Sequence, residues 1–298
     1  MHESYQTAQR MIEWLEDNLQ GEPQLERMAW QLGYSSFHLT RRFHTCVGMT
    51  LREYVSRRRL TRAALLLRDT DAGVLDVAVD CGFGSQQAFT RAFRRAFNAS
   101  PAAWRRAPEP IPLLLRRTVF SPYYFGIGVQ TMANVKEIET RIEKLPAHTF
   151  VGLGNIEADN YWSFWEKQDN VPGLDCHTAT GLLESMGGHW GQVGGWFYEN
   201  GRRGYLYGVQ LDAGYAGAVP AGMLRMDLPQ GEYAVFFHPP FNYEEDCGPV
   251  HERVMAAAAA WDPALQGYEW DLSRPEYQRH EPQGYGEAVY RPVKRVAK

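Results

Sequence analysis

Ala29-Trp30-Gln31-Leu32-Gly33-Tyr34-Ser35-Ser36-Phe37-His38-Leu39-Thr40-Arg41-Arg42-Phe43 sets a pattern that returns at Ala78-Val79-Asp80-Cys81-Gly82-Phe83-Gly84-Ser85-Gln86-Gln87-Ala88-Phe89-Thr90-Arg91-Ala92-Phe93. In each copy a small Ala lets two helices approach, a Gly supplies a sharp turn, an aromatic plugs the angle, and a Ser opens the second helix as its N-cap. The turn of the second copy is one residue longer. A repeat of this kind fixes the building block before any other signal is read.

Outward from the repeat, Ala8, Met11, Ile12, Leu15 and Leu19 sit at helical spacing over residues 5 to 19. Thr50 and Glu53 form a capping box that opens a long helix to about Arg68, and Asp71-Ala72-Gly73 breaks it. Ser100-Pro101 is an N-cap followed by a first-turn proline, starting a short helix through Trp104 and Arg105. Residues 1–107 therefore read as an all-α domain of seven helices holding two helix-turn-helix units. Pro108-Glu109-Pro110-Ile111-Pro112 reads as a stiff extended linker, so that 108–134 is a linker and connecting segment.

From residue 135 to 298 the period changes to two. Ile138, Thr140 and Ile142 alternate with charged neighbours, and His148 to Gly154 follows as a partner strand. A short aromatic helix at Tyr161–Trp165 comes next, then strands near 178–184 and 204–211. The order returns as strands at 223–228 and 232–238, a helix within 249–261, and strands near 275–280 and 287–293. The expectation is an α+β domain of duplicated ββαββ units on an antiparallel sheet, with a concavity between its halves.

Charge divides the same way. Residues 1–117 hold 17 Arg and 12 Asp or Glu, a net +5, whereas 118–298 hold 14 Lys or Arg and 23 Asp or Glu, a net −9. The positive half suits phosphate, and its cations are all Arg, which grips phosphate and guanine in bidentate fashion. The four cysteines show no paired spacing for zinc or disulfides, and no metal or cofactor is expected. The longest apolar run, Val254 to Trp261, is far short of the ~20 residues that span a bilayer. A cytoplasmic protein without a membrane partner is the expectation.

Helical geometry picks out which residues face away from the core. Leu39 with Phe43, and Phe89 with Phe93, are four apart and share a core face, while Phe37, Arg41, Gln87 and Arg91 lie two positions away, about 200° round. An outward Arg can hold guanine, a Gln adenine, and Phe37 can press on a thymine methyl. Phe37 is also compatible with a core position. Ser36, Thr40, Arg42, Arg57, Arg58, Arg94, Arg95 and Arg105 are assigned to phosphate, because phosphate contacts outnumber base contacts and need less precise geometry.

On the paired motif, on Gly82-Phe83-Gly84-Ser85-Gln86-Gln87 and on Ser100-Pro101, residues 5 to about 106 resemble the AraC/XylS family of bacterial transcription regulators, and within it the Rob, MarA and SoxS branch. That resemblance implies promoter DNA as partner, RNA polymerase beside it, and base reading by Phe37, Arg41, Gln86, Gln87 and Arg91. The later half resembles the GyrI-like ligand-binding domain, on its duplicated strands, on Tyr205-Leu206-Tyr207-Gly208-Val209 and on Val289-Tyr290-Arg291-Pro292-Val293. There the resemblance leads one to expect acids near the last two strands, where this chain has Gln278 and Ala288, with Glu276 and Glu287 adjacent.

Trp162, Trp165, Trp190 and Trp196, with Tyr198 and Tyr207, crowd one stretch, two of the Trp on what reads as a flexible loop from Gly187. With Glu184 and Glu276 they make a candidate aromatic box for a flat or cationic small-molecule effector. Ordinary core packing is the competing reading for any one of them. No Ser-His-Asp or Cys-His order stands out, so the expectation is a binding protein rather than an enzyme. A drug- or toxin-sequestering or hydrolysing role for this half is the alternative.

Overall fold

The computed structural model describes residues 2–21, 24–120, 136–166, 174–280 and 286–296. The chain forms two compact units, Met1–Gly126 and Ile127–Lys298.

The described residues of the first unit contain seven helices: α1 (His2–Asp17), α2 (Leu25–Leu32), α3 (Ser36–Val47), α4 (Leu51–Asp69), α5 (Val74–Asp80), α6 (Gln86–Phe97) and α7 (Pro101–Arg106). Side chains of Ser35, Thr50, Ser85 and Ser100 each accept a hydrogen bond from the backbone amide three residues on, so the starts of α3, α4, α6 and α7 are fixed locally. Gly82 has a φ of 75°, and a Cβ there would stand 2.5 Å from the carbonyl oxygen of Gln20, so both conformation and space require glycine.

Two cores result, threaded by one helix. Tyr54 and Val55 of α4 join α1, α2 and α3, whereas Leu60, Ala63, Ala64 and Leu67 join α5, α6 and α7. Arg59 ties the two: its guanidinium donates to the carbonyls of Leu19 and Gly21, both at 2.6 Å, and of Gly82 at 3.2 Å.

The segment read as a linker is instead part of this unit as far as residue 120. Ile111 and Leu113 are buried in the second core and Leu114 in the first. The amide of Leu114 donates to Thr61 Oγ1 (2.9 Å), and Arg117 donates to the carbonyl of Val47 (2.7 Å). The segment carries no helix or strand, and the apolar residues between and after the prolines bind it to the helices. The rest of the expected connection, 121–134, lies outside the described residues.

The second unit consists of β1 (Glu139–Leu145), β2 (His148–Asn155), α8 (Tyr161–Glu166), α9 (Cys176–Met186), β3 (Gln192–Glu199), β4 (Arg202–Asp212), β5 (Leu224–Leu228), β6 (Gly231–His238), α10 (Tyr243–Ala260), β7 (Tyr268–Trp270), β8 (Glu276–His280) and β9 (Glu287–Arg295). The antiparallel sheet runs β1-β6-β9-β8-β3-β4-β2-β5, with β7 on β9. Exchanging β1 with β5, β2 with β6, β3 with β8 and β4 with β9 reverses this order and leaves it otherwise the same. Helices α8 and α9 pack over one end of the sheet through Phe164, Ala179 and Leu183, and α10 over the other through Val250, Val254 and Ala258.

Two expectations fail here. Residues 178–184 are not a strand but the middle of α9: Asp175 caps it, accepting from the amide of Thr178 at 2.7 Å, and Ala179 and Leu183, four apart, are its buried face. Residues 192–196, read as loop, begin β3. The glycines there mark close approach rather than flexibility, since a Cβ on Gly195 would lie 2.2 Å from the Glu276 carbonyl oxygen across the sheet.

Candidate functional site

Burial of Leu39 and Phe43 on α3, and of Phe89 and Phe93 on α6, is complete and sets the roll of each helix. The opposite faces are open. Phe37 is 78% exposed, which settles its direction outward, and Arg41, Gln86, Gln87 and Arg91 are exposed too. Among the described residues the guanidinium groups of Arg41 and Arg91 have no hydrogen-bond or ion-pair partner. Both helices thus offer an uncommitted five-donor fork from matching positions. The repeat also exposes Trp30 on α2 (83%) and its counterpart Val79 on α5 (61%), which pattern reading passed over because each lies beside a buried Ala.

The residues assigned to phosphate divide. Arg57, Arg94 and Arg95 are exposed, Arg57 standing 3.9 Å from Glu53. Ser36 is half-buried, and Thr40 is exposed with its hydroxyl donating back to the Ser36 carbonyl (2.8 Å). Three arginines are committed to the fold instead. Arg58 pairs with Glu16 (2.7 and 2.9 Å) and also donates to the Leu114 carbonyl (2.7 Å). Arg42 donates to Thr7 Oγ1 (2.8 Å) and lies over the Tyr34 ring at 5.1 Å. Arg105 donates to the carbonyls of Leu67 (3.1 Å) and Ala72 (2.5 Å). Reaching phosphate would break these bonds, so the structure gives these three arginines a role within the fold rather than the one expected of them.

In the second unit the four tryptophans do not form one box. Trp196 is buried, donates through its indole nitrogen to the Asp159 carbonyl (2.7 Å) and lies under Arg203 at 4.4 Å. Trp165 packs edge-on against Tyr207, and its buried indole nitrogen has no partner. Trp190 stacks on Tyr290 (5.4 Å). Strand register puts Tyr290 opposite Tyr277 but Trp196 opposite Glu276, so Trp190 belongs to the other face of the sheet. Trp162 is 53% exposed.

The carboxylates also differ from expectation. Glu276 is buried but already compensated, by Arg203 at 3.1 Å, Arg291 at 3.7 Å and the Tyr198 hydroxyl at 3.3 Å, which argues against a ligand role. Glu184 accepts from Gln192 (2.6 Å), and Tyr207 shares a hydrogen bond with Thr180 (3.1 Å). Glu287, which sequence reasoning placed near the expected acids but outside the aromatic box, differs from both carboxylates. Its side chain is 1% exposed, one oxygen meets His251 Nδ1 at 2.7 Å and Gln278 Nε2 at 3.1 Å, and the other has no partner. The hydrogen bond that His251 donates to Glu287 holds its imidazole above the ordinary pKa, against the opposing effect of burial. Because Gln278 pairs with Val289, Glu287 shares a face with Gln278 while Ala288 points the other way. Register between β8 and β9, invisible in one sequence, was the missing signal.

Comparison with known proteins agrees with the helical half. Residues 28–107 match a family described as a helix-turn-helix domain. Regulatory protein SoxS of Salmonella typhimurium is 40% identical over 100 residues, 34% of this chain and 94% of its own length. Right origin-binding protein of Escherichia coli is 41% identical over 99 residues, but the match spans only 34% of that protein. A crystal structure of a transcriptional regulator from Chromobacterium violaceum, described among AraC-type DNA-binding domain-containing proteins, is 27% identical, with a TM-score of 0.33 over 36% of this chain and 99% of its own.

Proposed function

The chain belongs to the AraC-type family of helix-turn-helix DNA-binding transcription regulators, and from that premise we propose how it acts. A single polypeptide places α3 and α6 in successive major grooves on one face of promoter DNA, about one turn (~34 Å) apart, with α4 fixing the separation. Phe37 and Arg41 read bases under one helix, and Gln86, Gln87 and Arg91 under the other. Arg57, Arg94 and Arg95, with Ser36 and Thr40, meet phosphate. The protein acts in the cytoplasm as an activator beside RNA polymerase. The observation that carries this reading is the matched exposure of Arg41 and Arg91, each opposite a fully buried aromatic-containing pair.

A genome-wide map of bound fragments supplies the duplex for the test. In fluorescence anisotropy, Arg41→Ala and Arg91→Ala are each expected to cost about 1 to 3 kcal/mol and to flatten base preference under one helix only. Unchanged preference at every position would refute the base-reading assignment.

A second reading concerns the β-rich unit, which we propose is a GyrI-like effector domain. The symmetric strand order and the buried, unpartnered carboxylate oxygen of Glu287 support it. Its ligand is flat and cationic, and it is bound without being transformed. Planar dyes of both charges, followed by Trp fluorescence, test this. Glu287→Gln should weaken cationic dyes alone, and mass spectrometry should recover them unaltered. Steady consumption of the dye would favour the hydrolase alternative.

A further inference from the structure

An open cleft of about 740 Å³ lies between α4 and α6, lined on its apolar side by Leu60, Phe97 and Leu114. Its polar side carries Arg57, Arg91 and Arg95 against a single carboxylate, Glu53, which stands 3.9 Å from Arg57. DNA phosphate needs the cations but offers nothing to the apolar side. A purely apolar guest would gain from Phe97 and Leu114 yet leave the guanidinium groups without a counter-charge. One chemistry satisfies both.

We propose that this cleft binds a small amphipathic organic anion of the arene carboxylate class, its ring against Phe97 and Leu114 and its carboxylate on Arg91 and Arg95. The volume is that of an ordinary small-molecule pocket, ~300 to 1,000 Å³. Guanidinium and carboxylate meet in bidentate fashion, which fixes the orientation of the ring. Occupancy takes Arg91 away from the duplex, so the anion competes with DNA. That competition rests on the DNA-binding reading above; the binding of the anion itself does not.

The test uses the full ¹⁵N-labelled chain titrated with 1-naphthoate, with neutral 1-naphthylmethanol and inorganic phosphate as controls. Naphthoate is expected to shift the amides of Ala92 and Ala96 saturably, with both controls weaker by about tenfold or more. Ala96 is exposed on the rim of the cleft, so Ala96→Phe fills the space without entering the core. It and Arg95→Gln should each raise the naphthoate dissociation constant by about tenfold or more, one by occlusion and one by charge. Naphthoate should also weaken duplex binding in the wild type but not in Ala96→Phe. Absence of saturable shifts, equal binding of the alcohol, or indifference to both substitutions would overturn the site. Naphthoate binding at Ala92 and Ala96 in a protein that binds no duplex would sink the DNA reading and leave the site standing.

Discussion

Arg58 sits between two arginines that look identical to it in sequence, yet its 15% exposed side chain is a strut between α4, α1 and the tail. Burial pushes the Glu16 carboxyl up, but hydrogen bonds from Arg58 and Tyr54 outweigh it and hold the group below its ordinary value of 4.5. A depressed carboxylate contributes stability that is present above its unfolded pKa and lost as pH falls through the folded one. Arg58→Ala should therefore cost roughly 3 kcal/mol in urea unfolding at neutral pH, because a half-buried charge loses its partner. It should also flatten the fall in stability below about pH 4.5. Arg57→Ala should leave unfolding unchanged, so equal effects of the two would contradict this assignment. Helical phase separates Phe37 and Arg41 from the core in the sequence itself. Which Arg of a run meets a carboxylate forty residues away depends on tertiary contact, and no local pattern records it.

Helix starts were legible because each cap is a bond between residues three apart, as at Ser35, Ser85 and Ser100. The errors fell on α9 and β3, where local and tertiary signals disagree. Thr178, Thr180 and Leu182 alternate like a strand, but the Asp175 cap and the buried Ala179–Leu183 pair hold a helix. Glycines in β3 imitate a loop. In the sheet, Gly194 and Gly195 lie opposite Gln278 and Tyr277, the junction between strands from the first and second halves of the unit. Gly195→Ala must push the β3 and β8 backbones apart, so the second unit should lose about 2 kcal/mol or more, a typical cost of overpacking. Thermal melting followed by near-UV circular dichroism of the Tyr and Trp residues would read this loss. Unchanged melting would mean that the close contact is easily relieved.

At the scale of the whole chain, the division into a helical DNA-binding part and a sheet-rich part followed from two repeat periods and two signs of charge. The boundary did not, because Ile111, Leu113 and Leu114 reveal their burial only against helices already in place. A fragment of residues 1–120 should melt cooperatively and keep duplex affinity. One ending at residue 107 exposes the sites of three buried aliphatic side chains and should be less stable by about 4 kcal/mol or more. Far-UV circular dichroism of the two fragments checks this, and matching melting temperatures would restore the linker reading. No helix among the described residues is long and apolar enough to cross a membrane.

The interleaved strand order also bears on how the second unit is made. Strand β1 leaves the ribosome first, but its partner β6 follows about ninety residues later, and such distant pairings form slowly. Until then both edges of β1 are unpaired in a crowded cell, and one of them stays an edge of the finished sheet. Its sequence, Glu139-Thr140-Arg141-Ile142-Glu143-Lys144, carries four charges in six residues, with Arg141 held to Glu143 at 2.5 Å. Charged edges resist pairing with a neighbouring nascent chain. The polar character of β1 protects the strand during its wait, and the same interleaving forbids division of the unit into two separately folding halves.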